Sequence, residues 1–600
     1  MLEFFLFLIG GVGYSLYFDL NPLEAILVAL VVLALVLRRG RDHRPSKARV
    51  PKVWRIYCRL ARRRKTAVAA VFVFALAIRA ALLPLLPVPK PMIPDEFGHL
   101  LIADTLTHGR LTNPTHPMWM HFESLHIFQQ PTYNSDFFPG QGAVLALGKL
   151  AGHPWIAVWV LCAAMCAALC WMLQGWVPPQ WALLGALIAV FRFGVASYWI
   201  NSYYGGCLAA IGGALVLGAI PRLRCKPSLW YALAFGFGLI VIGYSRPFEG
   251  LAVALPAVAA LGYSVIKKRT PTWISIPVAA LACAGVVGLL VYSKAVTGDP
   301  LRTPYAVNQA TYGWPMTLPW VHTSEPRFRH IELQRYYDYE KETHDSNSSL
   351  AGEIKNSTLK AQSLWRFFFG PALSIPLILL PRVWRKPRLR LLLIAGALTV
   401  VAALTDTGTM PHYAAVGTGC FLAILVLCFR ELSRQRYGIR LTAAALSIML
   451  LILGVRIGLE QFRLPFTQKT NFFSWCCVAP MNPNKAPILA MLEKNGGKHL
   501  VIVKPKSDPQ NLFQWIYNDA DIDASPVVWA RDMGADLNRP LIDYFRDRKV
   551  WLVDPNLNPP LLTPYPASGA AGENAAYQTD VDVSPSKPGF HETQHPRPPA

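Results

Sequence analysis

Charge is scarce in this 600-residue chain: Asp, Glu, Lys and Arg make up 16% of it, against about 25% in an ordinary soluble domain. With 53% hydrophobic residues and a mean hydropathy of +0.31, that shortage excludes a soluble enzyme and predicts a polytopic α-helical membrane protein. Eleven cysteines give too little for a disulfide framework. No Gly-x-x-x-x-Gly-Lys-Ser/Thr element is present, so no nucleotide-binding loop is expected. The N-terminus has neither a basic leader nor an evident small-residue cleavage site, which argues against a cleaved signal peptide. No internal repeat is visible, and that disfavours a transporter built from related halves.

What is abundant is positive charge, +23 net, and its placement gives its meaning. Residues 38–65, 221–227, 267–269, 382–390 and 430–440 hold 28 of the 58 Lys and Arg against two acids, Asp42 and Glu431, and the rest of the chain is left at −3. These basic segments fall at every second boundary between apolar runs. That is the positive-inside pattern of cytoplasmic loops, and it leaves no charge for a nucleic-acid partner. Eleven spans are predicted near 66–86, 154–173, 181–195, 205–220, 229–243, 249–266, 272–293, 366–381, 390–404, 412–429 and 441–459. Residues 2–18 and 22–37 form either a further hairpin, giving thirteen spans, or one long span with its N-terminus outside, and the hairpin is preferred.

The expected organisation is an N-terminal hydrophobic hairpin with a basic linker over 1–65 and a transmembrane core over 66–460 with outer loops at 87–153 and 294–365. An extracytoplasmic α/β domain follows over 461–565, then a disordered tail over 566–600 rich in Pro, Ser, Gly and Ala. The α/β reading rests on two β-like runs, 499–503 and 549–553, with helix around 541–548. Cys162, Cys166 and Cys170 recur every four residues and read as a small-residue packing face rather than a metal site. Cys476 and Cys477 are adjacent, and fit a vicinal disulfide as well as two free thiols.

Chemistry is sought at the outward connections. Asp95 and Glu96, in Pro94-Asp95-Glu96-Phe97-Gly98-His99, follow the first core span. Asp95 stands where a helix N-cap belongs, and a carboxylate at the membrane surface is also placed to act as a general base. His99, His108, His116, His121 and His126, with Glu123, leave a divalent metal open as a cofactor, although their spacing matches no standard ligand pattern. Arg79, Arg192, Arg246 and Arg456 lie toward the outer ends of spans, where cations are least expected. They either snorkel or bind an anionic headgroup, and Arg246, in Tyr244-Ser245-Arg246-Pro247-Phe248-Glu249, is the strongest candidate for the second role. Asn201, Ser202, Tyr203, Tyr204 and the Gly205-Gly206 pair form a hydrogen-bonding, close-approach connection, and Pro411-His412-Tyr413 forms another.

Taken in order, the segments 94–109, 197–206, 245–250, Thr297-Gly298-Asp299-Pro300 with Pro304-Tyr305, and Pro411-His412-Tyr413 resemble the GT-C superfamily of membrane glycosyltransferases. Within it they resemble the bacterial relatives of protein O-mannosyltransferases and of the lipid A aminoarabinose transferase. The resemblance covers roughly residues 66 to 460. It implies an inverting transferase of the cytoplasmic (inner) membrane, with its active face extracytoplasmic. The donor would be a polyprenyl-phosphate sugar and the acceptor a lipid, a polysaccharide or a protein. It places the base at Asp95 or Glu96, with Asp95 favoured, and the donor phosphate on Arg246 and His412. Tyr413, Tyr203, Tyr204, Asn201, His99 and Arg79 complete the expected substrate-binding set. The competing readings are a transporter or lipid flippase, and a polysaccharide ligase that would work without an essential carboxylate.

Overall fold

The computed structural model describes residues 21–37, 52–313, 326–408, 410–461, 474–476, 485–506, 515–557 and 559–566. The first arm of the expected N-terminal hairpin and the tail from residue 567 lie outside them. The second arm is the helix Asn21–Leu37.

Each of the eleven predicted span positions is helical. Among the described residues, seven helices are long and apolar enough to cross a membrane, or eight if a bent pair counts as one. The difference from eleven has physical causes. Pro179–Gly194 and Leu229–Ser245 are apolar but short. Arg64–Ala81 carries Arg64, Lys65 and Arg79. The predicted span at 366–381 is a different object: Leu350–Phe368 turns by 92° into Gly370–Trp384, with Gly370 at φ +66° supplying a backbone that side chains oppose. The chain is a polytopic α-helical membrane protein with a small C-terminal α/β domain.

Packing is set by small residues. Pro411–Ser433 runs through the middle of the bundle with 89% of its apolar window buried, while Thr272–Thr297 lies at the rim with 11%. Cys207–Cys225 touches its neighbours through glycines: a Cβ at Gly213 would sit 2.0 Å from the Val416 carbonyl oxygen, and one at Gly238 would sit 2.9 Å from that of Gly212. Without a hydrophobic drive between helices inside lipid, such backbone approach is what dispersion attraction requires. Cys162, Cys166 and Cys170 are buried free thiols on Pro154–Trp176, as a packing face requires. Cys476 is disulfide-bonded.

Two regions rise above the bundle, on the side away from the basic connections. The first loop holds the helix Pro94–Thr107, a two-residue hairpin of β1 (Ile127–Phe128) and β2 (Asn134–Ser135), and the helix Pro139–Leu150. The C-terminal domain is a four-stranded sheet of β3 (His499–Val503), β4 (Val527–Arg531), β5 (Lys549–Asp554) and β6 (Leu561–Pro564), in the order β4-β3-β5-β6. The strands β4 and β5 pair parallel to β3, and β6 closes the edge antiparallel. Its helix, Ala535–Tyr544, starts earlier than the stretch around 541–548 expected from sequence. The domain and the first loop share one core: Leu101, Phe122, Ile127 and Tyr133 pack with Leu500, Ile502, Val528 and Leu541.

The glycine contact gives a stability prediction. Gly213→Ala forces the Val416 carbonyl to move and should cost about 1–3 kcal/mol, as overpacking does. Gly262→Ala, whose Cβ meets nothing within 4 Å, should cost nothing measurable. Thermal midpoints in detergent check the pair, and equal midpoints would show that the contact is not tight.

Candidate functional site

The Asp-Glu pair divides into two unlike carboxylates. The helix begins at Pro94 with Ile93 as its N-cap, so Asp95 is not the cap that the sequence predicts. Glu96, at the third helical position, reaches back as in a capping box. Its Oε2 accepts from the backbone N–H groups of Met92 (2.6 Å) and Ile93 (3.1 Å), and its Oε1 accepts from the N–H of Tyr203 (3.1 Å) in the distant connection between spans. Burial pushes the Glu96 carboxyl up to about 7, against the pull of those amides. Asp95 is half-buried and makes no hydrogen bond or ion pair among the described residues. One helical turn later on the same face stands His99.

His99 opens a small cavity that also takes in Phe137, Gln141, Tyr204, Arg246, Tyr305 and His412. The His99 ring lies against Phe137, centroids 4.4 Å apart, and burial followed by the charge of Arg246 holds it down to about 3, so the imidazole is neutral. Arg246 sits at the break between the helices Leu229–Ser245 and Pro247–Ile266, with its guanidinium over the Tyr413 ring at 4.2 Å and its Nη1 3.4 Å from Glu249 Oε1. The His412 Nδ1 meets the Tyr198 hydroxyl at 3.1 Å. Gly206 is required where the connection presses inward, because a Cβ there would meet Ala415 at 2.5 Å and the Trp199 ring at 2.6 Å. Among the described residues, four buried polar atoms of this cavity have no hydrogen-bond partner: His99 Nδ1, His412 Nε2, Tyr204 Oη and Gln141 Oε1. Buried polar atoms are nearly always paired, so this cluster in one cavity is left for water or a ligand to satisfy.

The structure thus gathers His99, Tyr204, Arg246 and His412 from four separate segments, with Tyr413 beneath the guanidinium. It does not bring the other expected ligands there. Arg79 is fully buried and gives its donors to the carbonyl oxygen of Leu86 (2.7 Å) and to Asn201 Oδ1 (3.0 Å), with Trp155 4.9 Å from its guanidinium. Asn201 returns its amide to the carbonyls of Ala196 and Ser197. Tyr203 donates its hydroxyl to the Pro89 carbonyl at 2.8 Å. Arg192 is likewise spent on the carbonyls of Phe367 and Arg366 and lies over Trp475, which Arg456 also approaches. The loop histidines scatter: His116 pairs with Asp523, His121 meets the Arg531 and Leu537 carbonyls, and His126 pairs with the buried Asp136 at 3.1 Å. Burial opposes a charge on His126, yet Asp136 outweighs it and raises the imidazole above its ordinary value. Among the described residues no three His, Cys, Asp or Glu side chains are grouped to hold a metal ion. Sequence reasoning missed Gln141 and Phe137, for which the only signal was a helix start between glycines in Pro139-Gly140-Gln141-Gly142.

Glu96 yields a pH prediction. Its folded value lies above its unfolded one, so its contribution to stability is fully present below about 4.5 and is lost as pH rises through about 7. The loss amounts to about 3 kcal/mol. Compared with Glu96→Gln, the wild type should therefore lose stability between pH 5 and 8. Thermal midpoints of the two proteins over that range check it, and parallel curves would contradict it.

No family model and no curated protein matches the sequence. Solved structures similar to it include an oligosaccharyltransferase from Archaeoglobus fulgidus, 10% identical over 81% of this chain and 67% of that one with a TM-score of 0.44. The same organism's AglB, in complex with an inhibitory peptide and a dolichol-phosphate, is 10% identical over 81% and 69%, with a TM-score of 0.42. ArnT from Cupriavidus metallidurans is 13% identical over 80% of this chain and 92% of that one, with a TM-score of 0.40.

Proposed function

We propose that this chain is a membrane glycosyltransferase that takes a sugar from a polyprenyl-phosphate donor and passes it to an acceptor on the extracytoplasmic side, with inversion at the anomeric carbon. The observation that carries the reading is the cavity in which Arg246 meets unpartnered His99, Tyr204 and His412 atoms, one helical turn from the unpaired carboxylate of Asp95. It lies at the ends of Leu229–Ser245 and Pro247–Ile266 opposite the basic residues Lys226 and Lys267–Arg269, at a depth where a lipid phosphate would reach it.

In this reading the acceptor hydroxyl attacks the anomeric carbon while Asp95 takes its proton. The bond from that carbon to the phosphate oxygen breaks, and polyprenyl phosphate leaves with the bonding electrons. Arg246 faces the charge that grows on the phosphate as the bond lengthens, where reduced dielectric strengthens the attraction. His412 and Tyr204 offer further hydrogen bonds to the same group. Asp95 suits the base because it is not engaged, whereas Glu96 is held by three backbone amides. Arg79 and Asn201 act as supports of the wall. The core over 66–460 carries the chemistry, and the acceptor is a lipid, a polysaccharide or a protein.

Purified protein in lipid, given a panel of radiolabelled polyprenyl-phosphate sugars, tests this. Asp95→Asn should lower transfer by about 10² to 10⁴-fold while keeping the wild-type thermal midpoint, and Arg246→Gln should weaken the donor more than the acceptor. Full activity of Asp95→Asn would remove Asp95 as the base. A wild type that turns over no donor would refute the transferase.

A further inference from the structure

A phosphate leaves one of the four orphans in the cavity unexplained. The oxygens of a phosphodiester only accept hydrogen bonds, so they can meet the hydroxyl of Tyr204, the guanidinium of Arg246 and an imidazole N–H. They cannot meet Gln141 Oε1, which is itself an acceptor, lies on a residue 6% exposed and has no partner. The orientation of this amide is fixed by its other end. Its nitrogen donates to the Tyr203 carbonyl at 2.9 Å, a group that can only accept, so the oxygen is the end left for the cavity. Tyr203 cannot drift, because its own N–H is held by Glu96 Oε1 at 3.1 Å. Gln141 cannot drift either. A Cβ at Gly140 would fall 2.6 Å from the Tyr244 carbonyl oxygen, and one at Gly142 2.4 Å from the Ile102 side chain, so this helix start is wedged between two neighbours.

We infer that Gln141 is a specificity-determining residue that accepts a hydrogen bond from one hydroxyl group of the transferred sugar. The inference rests on the transferase reading and deepens it: the cavity that receives the lipid phosphate also reads the glycosyl group joined to it. A sugar is the part of such a donor that carries hydroxyl donors, and a fixed, buried acceptor selects for one of them because a donor lacking it leaves the acceptor unpaired. The link from Glu96 through Tyr203 to Gln141 gives the second carboxylate of the pair a positioning role in the same recognition.

The test uses the full chain in lipid, with the polyprenyl-phosphate sugar it turns over best and the monodeoxy series of that donor. The wild type should lose about 10-fold or more in kcat/KM at a single hydroxyl position. Gln141→Met, of similar size but without the acceptor, should use the parent and that deoxy donor within about threefold of each other. Gln141→Asn, which withdraws the oxygen by one methylene, should narrow the same ratio and leave the ratios at other positions unchanged. Equal use of every deoxy donor by the wild type would overturn the proposal, as would an undiminished preference in folded Gln141→Met or Gln141→Asn. Turnover of no donor at all by the wild type would overturn the transferase reading and this inference with it. Turnover with unselective use of hydroxyls would overturn this inference alone.

Discussion

The buried carboxylate of Glu96 is the contact on which the site depends. Its three acceptor bonds tie the chain just before the Asp95 helix, and the first turn of that helix, to the connection that ends in Gly205 and Gly206. Tyr203, on that connection, is 107 positions away in sequence. Fixing the helix start fixes the direction of Asp95 and, one turn on, of His99. Fixing Tyr203 sets the carbonyl that orients Gln141 and brings Tyr204 to the cavity wall. A full-length carboxylate is needed because both oxygens are in use, at opposite ends of the link.

A similar economy separates the arginines. A guanidinium inside the bilayer has five N–H donors to satisfy, and leaving them unsatisfied costs several kcal/mol. Arg79 gives donors to the Leu86 carbonyl and Asn201 Oδ1 beside the Trp155 ring, and Arg192 to the Phe367 carbonyl over the Trp475 ring, so both are engaged within the protein. Arg246 stands at a helix break, with a 3.4 Å contact to Glu249 and the Tyr413 ring beneath its guanidinium. The broken helix matters for that reason: a continuous one would have buried the side chain among its neighbours, whereas the Pro247 restart leaves it facing the cavity.

The spans were legible because lipid imposes a long apolar run and cytoplasmic loops attract cations, and both are properties of composition. The bend at Gly370 was not, since a right angle between two apolar helices changes no residue's hydropathy. The strands 499–503 and 549–553 were visible as apolar runs. Val527–Arg531 lacks the alternation that marks a half-exposed strand, being buried on both faces and ending in a charge, and it was missed. Arg246, His412 and Tyr204 stood out as polar residues at outward connections and His99 as a histidine of the first loop, and the four line one cavity. Asp95 was favoured over Glu96 only by its position after the first core span, since the physical distinction lies in a bond to Tyr203, 107 positions away. Gln141 was invisible for the same reason: only the partner at one end of its amide shows which end is free.

The C-terminal domain illustrates how a surface can be consumed by assembly. Open α/β sheets bind small ligands beyond the carboxyl ends of their parallel strands. Here that edge is occupied by the rest of the chain. Arg531, at the end of β4, donates from Nε to the Glu123 carbonyl at 2.7 Å and lies 3.3 Å from Glu332, while its own carbonyl meets His121. On the other side Tyr517 stacks on Phe97 at 4.1 Å, and the Ala520 N–H reaches Asp104 Oδ2 at 2.7 Å. The end of β4 is thus engaged with the loops of the membrane region. The domain's contact with Phe97, two residues after Asp95, makes it a wall beside that carboxylate.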